Sequence, residues 1–229
     1  LIKGNHLTAI EYFNKVIDYN KKDRFYILAL IGKANTYFDK KDYKTARFYY
    51  EEALKAFTES GLKVTMIPAV RFNIAATYYN EGKYLKAKEI AKKLKEDFPS
   101  YQPNQVDSLI TDCQKAIVAK RKQSLMKLSL KACDDAEKAF DKEDYFAAID
   151  HWRRAINYAF KSGLEKSNPA VAQYIAGIYY NIGISYYNAR EYNKALRKFL
   201  KIKSSYPSYY HEHKTKIDTL INDCMRYID

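Results

Sequence analysis

Ten residues, Tyr78–Tyr79–Asn80–Glu81–Gly82–Lys83–Tyr84–Leu85–Lys86–Ala87, follow a plan that the chain repeats: an aromatic end, a polar turn, then Tyr, two residues and Ala. The plan returns as Tyr37–Phe38–Asp39–Lys40–Lys41–Asp42–Tyr43–Lys44–Thr45–Ala46, as Ala139–Phe140–Asp141–Lys142–Glu143–Asp144–Tyr145–Phe146–Ala147–Ala148, and as Tyr186–Tyr187–Asn188–Ala189–Arg190–Glu191–Tyr192–Asn193–Lys194–Ala195. A partial copy, Gly4–Asn5–His6–Leu7–Thr8–Ala9, opens the chain. Downstream of the turn, Ala46, Tyr50, Ala53 and Leu54 are spaced i, i+4, i+7, i+8, the stripe of an amphipathic helix. Ala alternates with aromatics along such stripes, so adjacent helices can approach closely at one level and interlock at the next. A helix pair with stripes on two sides cannot bury them alone and must stack on its neighbours.

This phased set resembles the tetratricopeptide repeat, a helix–turn–helix unit of about 34 residues. The small residue that lets helix A pack on helix B is Ala34, Ala75, Ala136 and Gly183. The helix A Tyr is Tyr37, Tyr78 and Tyr186, with Ala139 departing. The helix B Ala is Ala9, Ala46, Ala87, Ala148 and Ala195. The large helix B residue is Phe13, Tyr50, Trp152 and Phe199, with Ala91 departing, and the helix-stopping Pro is Pro99 and Pro207. The resemblance implies an all-α solenoid of four complete repeats and a half repeat.

A longer duplication overlies the repeats. Pro68–Ala69–Val70 returns at Pro169–Ala170–Val171, Ser60–Gly61–Leu62 at Ser162–Gly163–Leu164, and Pro99–Ser100–Tyr101 at Pro207–Ser208–Tyr209. Residues 106–113 return at 217–224. The offset grows by seven residues between Pro68/Pro169 and Asn73/Asn181, which predicts a longer helix A near Asn168 to Tyr187, capped by Asn168 with Pro169 in its first turn. The expected organisation is 1–23 as the second half of a repeat, 24–122 as a repeat pair with its closing helix, and 123–229 as a second pair with a capping helix from about His213 to Tyr227. The first closer starts near Gln105. The basic stretch Lys120–Arg121–Lys122 contains no helix breaker, so one long helix or two fit equally. Leu1 falls inside a repeat whose first helix is absent, so the natural protein is expected to extend upstream into further repeats, a signal peptide or a membrane anchor.

Composition narrows the function. Seven Gly and five Pro are too few for a turn-rich β-sandwich. No apolar run approaches the ~18–20 residues of a membrane span. Forty Lys and Arg against 27 Asp and Glu give +13, which opens acidic proteins, anionic membranes and nucleic acid as partners. The three cysteines form no zinc spacing or disulfide framework. Cys113 and Cys224 continue apolar helical patterns, and Cys133 has no neighbouring base. His211–Glu212–His213 has no recognisable third metal ligand. No phosphate-binding Gly loop or acid–base set is present. The chain therefore reads as a non-enzymatic protein without cofactor or metal.

Tyr is the unusual residue, 23 of 229. The resemblance places Asn35, Phe38, Phe72, Asn73, Tyr79, Asn80, Tyr180, Asn181, Tyr187 and Asn188 on a concave partner-binding groove, alongside Glu137, Phe140 and Ile184. Aromatics bury large area at low entropic cost, and Asn both donates to and accepts from a peptide backbone. The expected partner is a helix or extended segment of another protein. Specificity for chaperone carboxylate tails is excluded because Ile31, Leu130 and Asp134 stand where that chemistry needs cations. The closers after Phe98–Pro99–Ser100–Tyr101 and Tyr206–Pro207–Ser208–Tyr209 resemble bacterial cell-envelope repeat proteins, including outer-membrane assembly lipoproteins. That resemblance implies a periplasmic, membrane-associated adaptor, with a cytoplasmic location as the alternative. The competing reading is a basic module for nucleic acid or an anionic surface, against which the cations are spread over several faces.

Overall fold

The computed structural model describes residues 6–19, 23–60 and 65–228. The expectations for Leu1, for Gly4–Asn5 and for Gly61–Leu62 lie outside these residues. The described chain is helical, in order α1 (His6–Tyr19), α2 (Arg24–Asp39), α3 (Tyr43–Ser60), α4 (Ile67–Asn80), α5 (Tyr84–Asp97), α6 (Pro103–Phe140), α7 (Tyr145–Ser162), α8 (Pro169–Asn188), α9 (Tyr192–Ser205), α10 (Pro207–Glu212) and α11 (Lys214–Arg226). Consecutive helices pack as hairpins, α2 on α3, α4 on α5 and α8 on α9, and the hairpins stack through α3 on α4 and α7 on α8.

The chain divides into two compact units, Leu1–Val118 and Ala119–Asp229. The core of the first is built from Ile27, Leu30, Ala34, Ala46, Tyr50, Ala53, Val70, Ile74 and Ala87, and Cys113 of α6 joins it. The core of the second holds Ala136, Ala148, Trp152, Ala155, Ile182, Ala195, Phe199, Ile217 and Cys224. Both cores follow the expected alternation. Ala34, Ala46, Ala75, Ala87, Ala136, Ala148 and Ala195 are all fully buried, because a methyl is the largest group that fits at these helix crossings. Gly183 marks a tighter crossing: a Cβ built there would stand 2.5 Å from Cε1 of Phe199.

The four turns share one conformation. Lys41, Gly82, Glu143 and Arg190, at the same place in the repeated plan, have φ of 63°, 73°, 64° and 60°. This left-handed geometry is free for Gly82 and costs each of the other three about 1–2 kcal/mol. Three helix starts are capped by Asp side chains: Asp23 before α2 accepts from Tyr26 N at 2.9 Å, and in two of the four turns Asp42 accepts from Thr45 N at 3.1 Å and Asp144 from Ala147 N at 3.1 Å.

The inserted residues lengthen helix A of the last repeat. Helix α8 has 20 residues against 14 in α4; the side chain of Asn168 accepts from Ala170 N at 3.0 Å, and Pro169 opens the first turn. Between the repeat pairs a single helix runs from Pro103 to Phe140 without a break. The final closer, Lys214–Arg226, is preceded by the short α10 (Pro207–Glu212), an additional element beyond the sequence reading.

Candidate functional site

In the first unit the predicted groove residues lie on α2 and α4. Asn35 and Asn80 are exposed; Phe38, Phe72, Asn73 and Tyr79 are half-buried. The side chain of Asn35 is engaged from below, since the hydroxyl of buried Tyr50 donates to its Oδ1 at 2.5 Å. Burial pushes the Tyr50 phenol up to about 12, with a hydrogen bond from Asn73 acting in the opposite direction and the charge of Asp39 adding to the rise. Asn80 turns its amide back onto Ala76 O at 2.9 Å in its own helix.

The aromatic row has a recurring geometry. Phe38, Tyr79, Phe140 and Tyr187 each meet the Tyr of their own turn edge-to-face: Tyr43 at 5.4 Å, Tyr84 at 5.3 Å, Tyr145 at 5.4 Å and Tyr192 at 5.4 Å. Such pairs are worth about 0.5–1.5 kcal/mol beyond their buried area. Each ring thus braces its hairpin with one edge. Tyr187 is covered further by Tyr227, at 6.4 Å, which stacks on Tyr192 at 4.6 Å. Tyr180 packs at 6.0 Å from Phe199, with Lys216 Nζ 5.4 Å over its ring. Asn188 is exposed at the end of α8.

The second unit carries a cavity at the level of this row. Glu137, Phe140, Asp141, Trp152, Asn181 and Ile184, from α6, α7, α8 and the turn after α6, enclose a cavity of about 200 Å³. The duplication makes Trp152 the counterpart of Tyr50, Glu137 of Asn35 and Asn181 of Asn73. In the first unit that trio closes on the Tyr50 hydroxyl. In the second, Trp152 is 3% exposed, and its Nε1–H is buried without an acceptor among the described residues. A buried unpaired donor costs about 1–3 kcal/mol. Glu137 and Asp141 form no ion pair among the described residues.

Of the ten groove residues read from the sequence, Asn181 lines this cavity. Glu137, Phe140 and Ile184 were legible from the repeat phase; Asp141 shares the phase of Asn80 and Asn188 but was not singled out, and Trp152 lies off that face. Trp152 sits at a helix B core position, and the one available signal was its being the only Trp, with a polar N–H where other repeats place Phe13 and Phe199. Burial raises the thiols of Cys113, Cys133 and Cys224, the reverse of what activates a nucleophile. Among the described residues no three His, Cys, Asp or Glu side chains are grouped to hold a metal ion, and no helix is long and apolar enough to cross a membrane.

Comparison with known proteins matches residues 28–57, 69–101 and 178–209 to the tetratricopeptide repeat. A solved structure titled as the TPR2AB-domain:pHSP90-complex of yeast Sti1 is similar at a TM-score of 0.46 and 17% identity, over 96% of this chain and 92% of that chain. The matched segments coincide with α2–α3, α4–α5 and α8–α9, the hairpins whose small-residue crossings and left-handed turns were described above. Their phase, packing and sequence together make these three hairpins tetratricopeptide repeats.

Proposed function

We propose that this protein is a non-enzymatic scaffold that holds a segment of another protein against the helix A faces of its repeats, seated in the second unit at the cavity beside Trp152. One observation carries the reading: a core position that is hydrogen-bonded in the first unit holds, in the second, a donor without an acceptor among the described residues, next to a cavity. A main-chain carbonyl from a bound segment offsets that cost, and Asn181 can donate to and accept from the same backbone. Phe140 and Ile184 supply an apolar wall for one side chain. The chaperone-tail chemistry does not carry over, because Ile31, Leu130 and Asp134 present no cation. The resemblance of the closing segments to envelope proteins supports a place at a bacterial cell envelope, which fractionation of source cells with an antibody to this chain tests directly.

The binding test uses Trp152 as its own reporter. Proteins captured from source-cell extract by the wild-type chain are identified, and the candidate segment is synthesised and titrated while Trp152 emission is followed. Emission is expected to shift on binding, and Asn181→Ala is expected to weaken the segment about tenfold, the loss of one or two desolvated hydrogen bonds. Tight binding with unchanged Trp152 emission and no effect of Asn181→Ala would remove the cavity from the interface. Binding abolished by nuclease would favour the nucleic-acid reading.

A further inference from the structure

Helix α7 presents a second, unrelated surface. Phe146, Ile149, Asp150 and Arg153 follow each other at i, i+3, i+4, i+7 on one face. Lys194, Arg197 and Lys198 do the same at i, i+3, i+4 on α9. With Tyr186 they enclose a cleft of about 460 Å³ that shares no residue with the Trp152 cavity. That volume lies within the range of ordinary ligand clefts.

Its charge is one-sided. Four cations face one carboxylate. Arg153 is oriented by its Nη2, which donates to the Tyr186 hydroxyl at 2.6 Å, and has a 3.5 Å contact with Asp150. Lys194 pairs with Glu191 at 3.1 Å. Arg197 and Lys198 have no acidic partner among the described residues. Burial, and then the charges of Arg153 and Lys201, hold Lys198 below the usual lysine range.

The duplication keeps some cations at this place and changes others: Arg47, Lys83 and Lys86 stand around Tyr78, the first-unit counterpart of Tyr186, and there Glu81 pairs with Arg47 and Lys83. Glu51, Glu89 and Ile90 stand in the first unit where Arg153, Arg197 and Lys198 stand in the second. The same scaffold thus tolerates acids or an apolar residue at these places, and the second unit replaces all three with cations. An anion is the complement. Phe146, 57% exposed beside buried Ile149, adds an apolar contact that a plain polyanion does not use. Asp150 and Glu191, interleaved with the cations, disfavour a continuous phosphate backbone.

We propose that the α7–α9 cleft is a second binding site, for an acidic protein segment that also carries an apolar side chain.

The test measures fluorescence anisotropy of a labelled helical peptide with Glu on one face and Leu on the other, titrated with the full chain. Wild type is expected to bind. Arg197→Glu with Lys198→Glu is expected to weaken it at least about tenfold, since two attractions become repulsions. Lys198→Glu alone is expected to weaken binding, and Lys86→Glu, the same single reversal at the first-unit counterpart of Lys194, is expected to leave affinity within about twofold. Should the double reversal lower the melting temperature, the milder Arg197→Gln with Lys198→Gln serves, with a smaller loss expected in the same direction. Equal weakening by Lys86→Glu and Lys198→Glu would reduce the effect to net charge and overturn the site. Unchanged affinity in the cleft variants would do so as well. Displacement of the peptide by tripolyphosphate or duplex DNA at lower concentrations than by unlabelled peptide would show that a phosphate ligand, rather than an acidic protein, belongs in the cleft.

Discussion

Gly183 and Gly177 lie in the same helix, yet the packing predicts opposite responses to the same substitution. At either position Gly→Ala in a helix interior gains about 1 kcal/mol of propensity. At Gly177 the new methyl stands 3.8 Å from the Tyr209 ring, an ordinary contact, so the gain is kept. At Gly183 it would stand 2.5 Å and 2.8 Å from Cε1 and Cζ of Phe199, a ring that is fully buried in the second-unit core. Moving such a ring costs about 1–3 kcal/mol. The net expectation is a loss of roughly 0–2 kcal/mol for Gly183→Ala against a gain near 1 for Gly177→Ala. In a chain of this size each kcal/mol moves the melting temperature by about 2–4 °C. Urea unfolding followed by Trp152 emission reports the second unit specifically, because Trp152 is the only Trp. In a Phe199→Leu background the obstructing ring edge is gone, and the Gly183→Ala penalty should shrink. A Gly183→Ala protein whose Trp152 transition rises like that of Gly177→Ala would refute the claim that the helix crossing requires glycine.

Two further outcomes follow from the electrostatics. Burial works against the Glu81 charge, but Arg47 at 2.7 Å and Lys83 at 2.9 Å outweigh it and hold the carboxyl below the usual glutamate range. Its folded pKa being depressed, the stabilisation is complete above the ordinary range and disappears as pH falls through the folded value. Glu81→Gln should therefore cost about 1–2 kcal/mol at neutral pH and approach wild type under acid; urea midpoints at pH 7 and pH 3 check this, and a pH-independent difference contradicts it. The thiols give the third prediction. Burial raises all three, Cys133 to about 11, although its 2.9 Å hydrogen bond with Tyr174 acts the other way. A thiol reagent at pH 8 should find no reactive cysteine until denaturant is added, and then three; reaction of any at the rate of a free thiol would contradict the burial.

The sequence carried the fold because its determinants are local and periodic. The Ala–aromatic alternation, the turn phrase and Asn168–Pro169 each act within one or two helix turns, where a 3.6-residue period or a capping oxygen sets the outcome. Those elements stand in the structure: the buried alanines, the four left-handed turns and the long α8. The candidate site was legible only as a face. Repeat phase places Phe38, Tyr79, Phe140 and Tyr187 on that face, but the edge-to-face contact with each turn Tyr depends on rotamers that phase does not specify.

By itself, then, the sequence determined the helices, their pairing and the small-residue crossings. Tertiary structure decided where the polar atoms go. It sets Asn35 on the Tyr50 hydroxyl, leaves the Trp152 Nε1–H without an acceptor among the described residues, and gathers Phe146, Arg153, Arg197 and Lys198 around one cleft. The physical reason is range. Helix formation and hairpin packing are fixed by neighbours along the chain, whereas hydrogen-bond satisfaction depends on rotamers that repeat phase does not specify, and charge complementarity on atoms brought together from separate hairpins, as at residues 153 and 198.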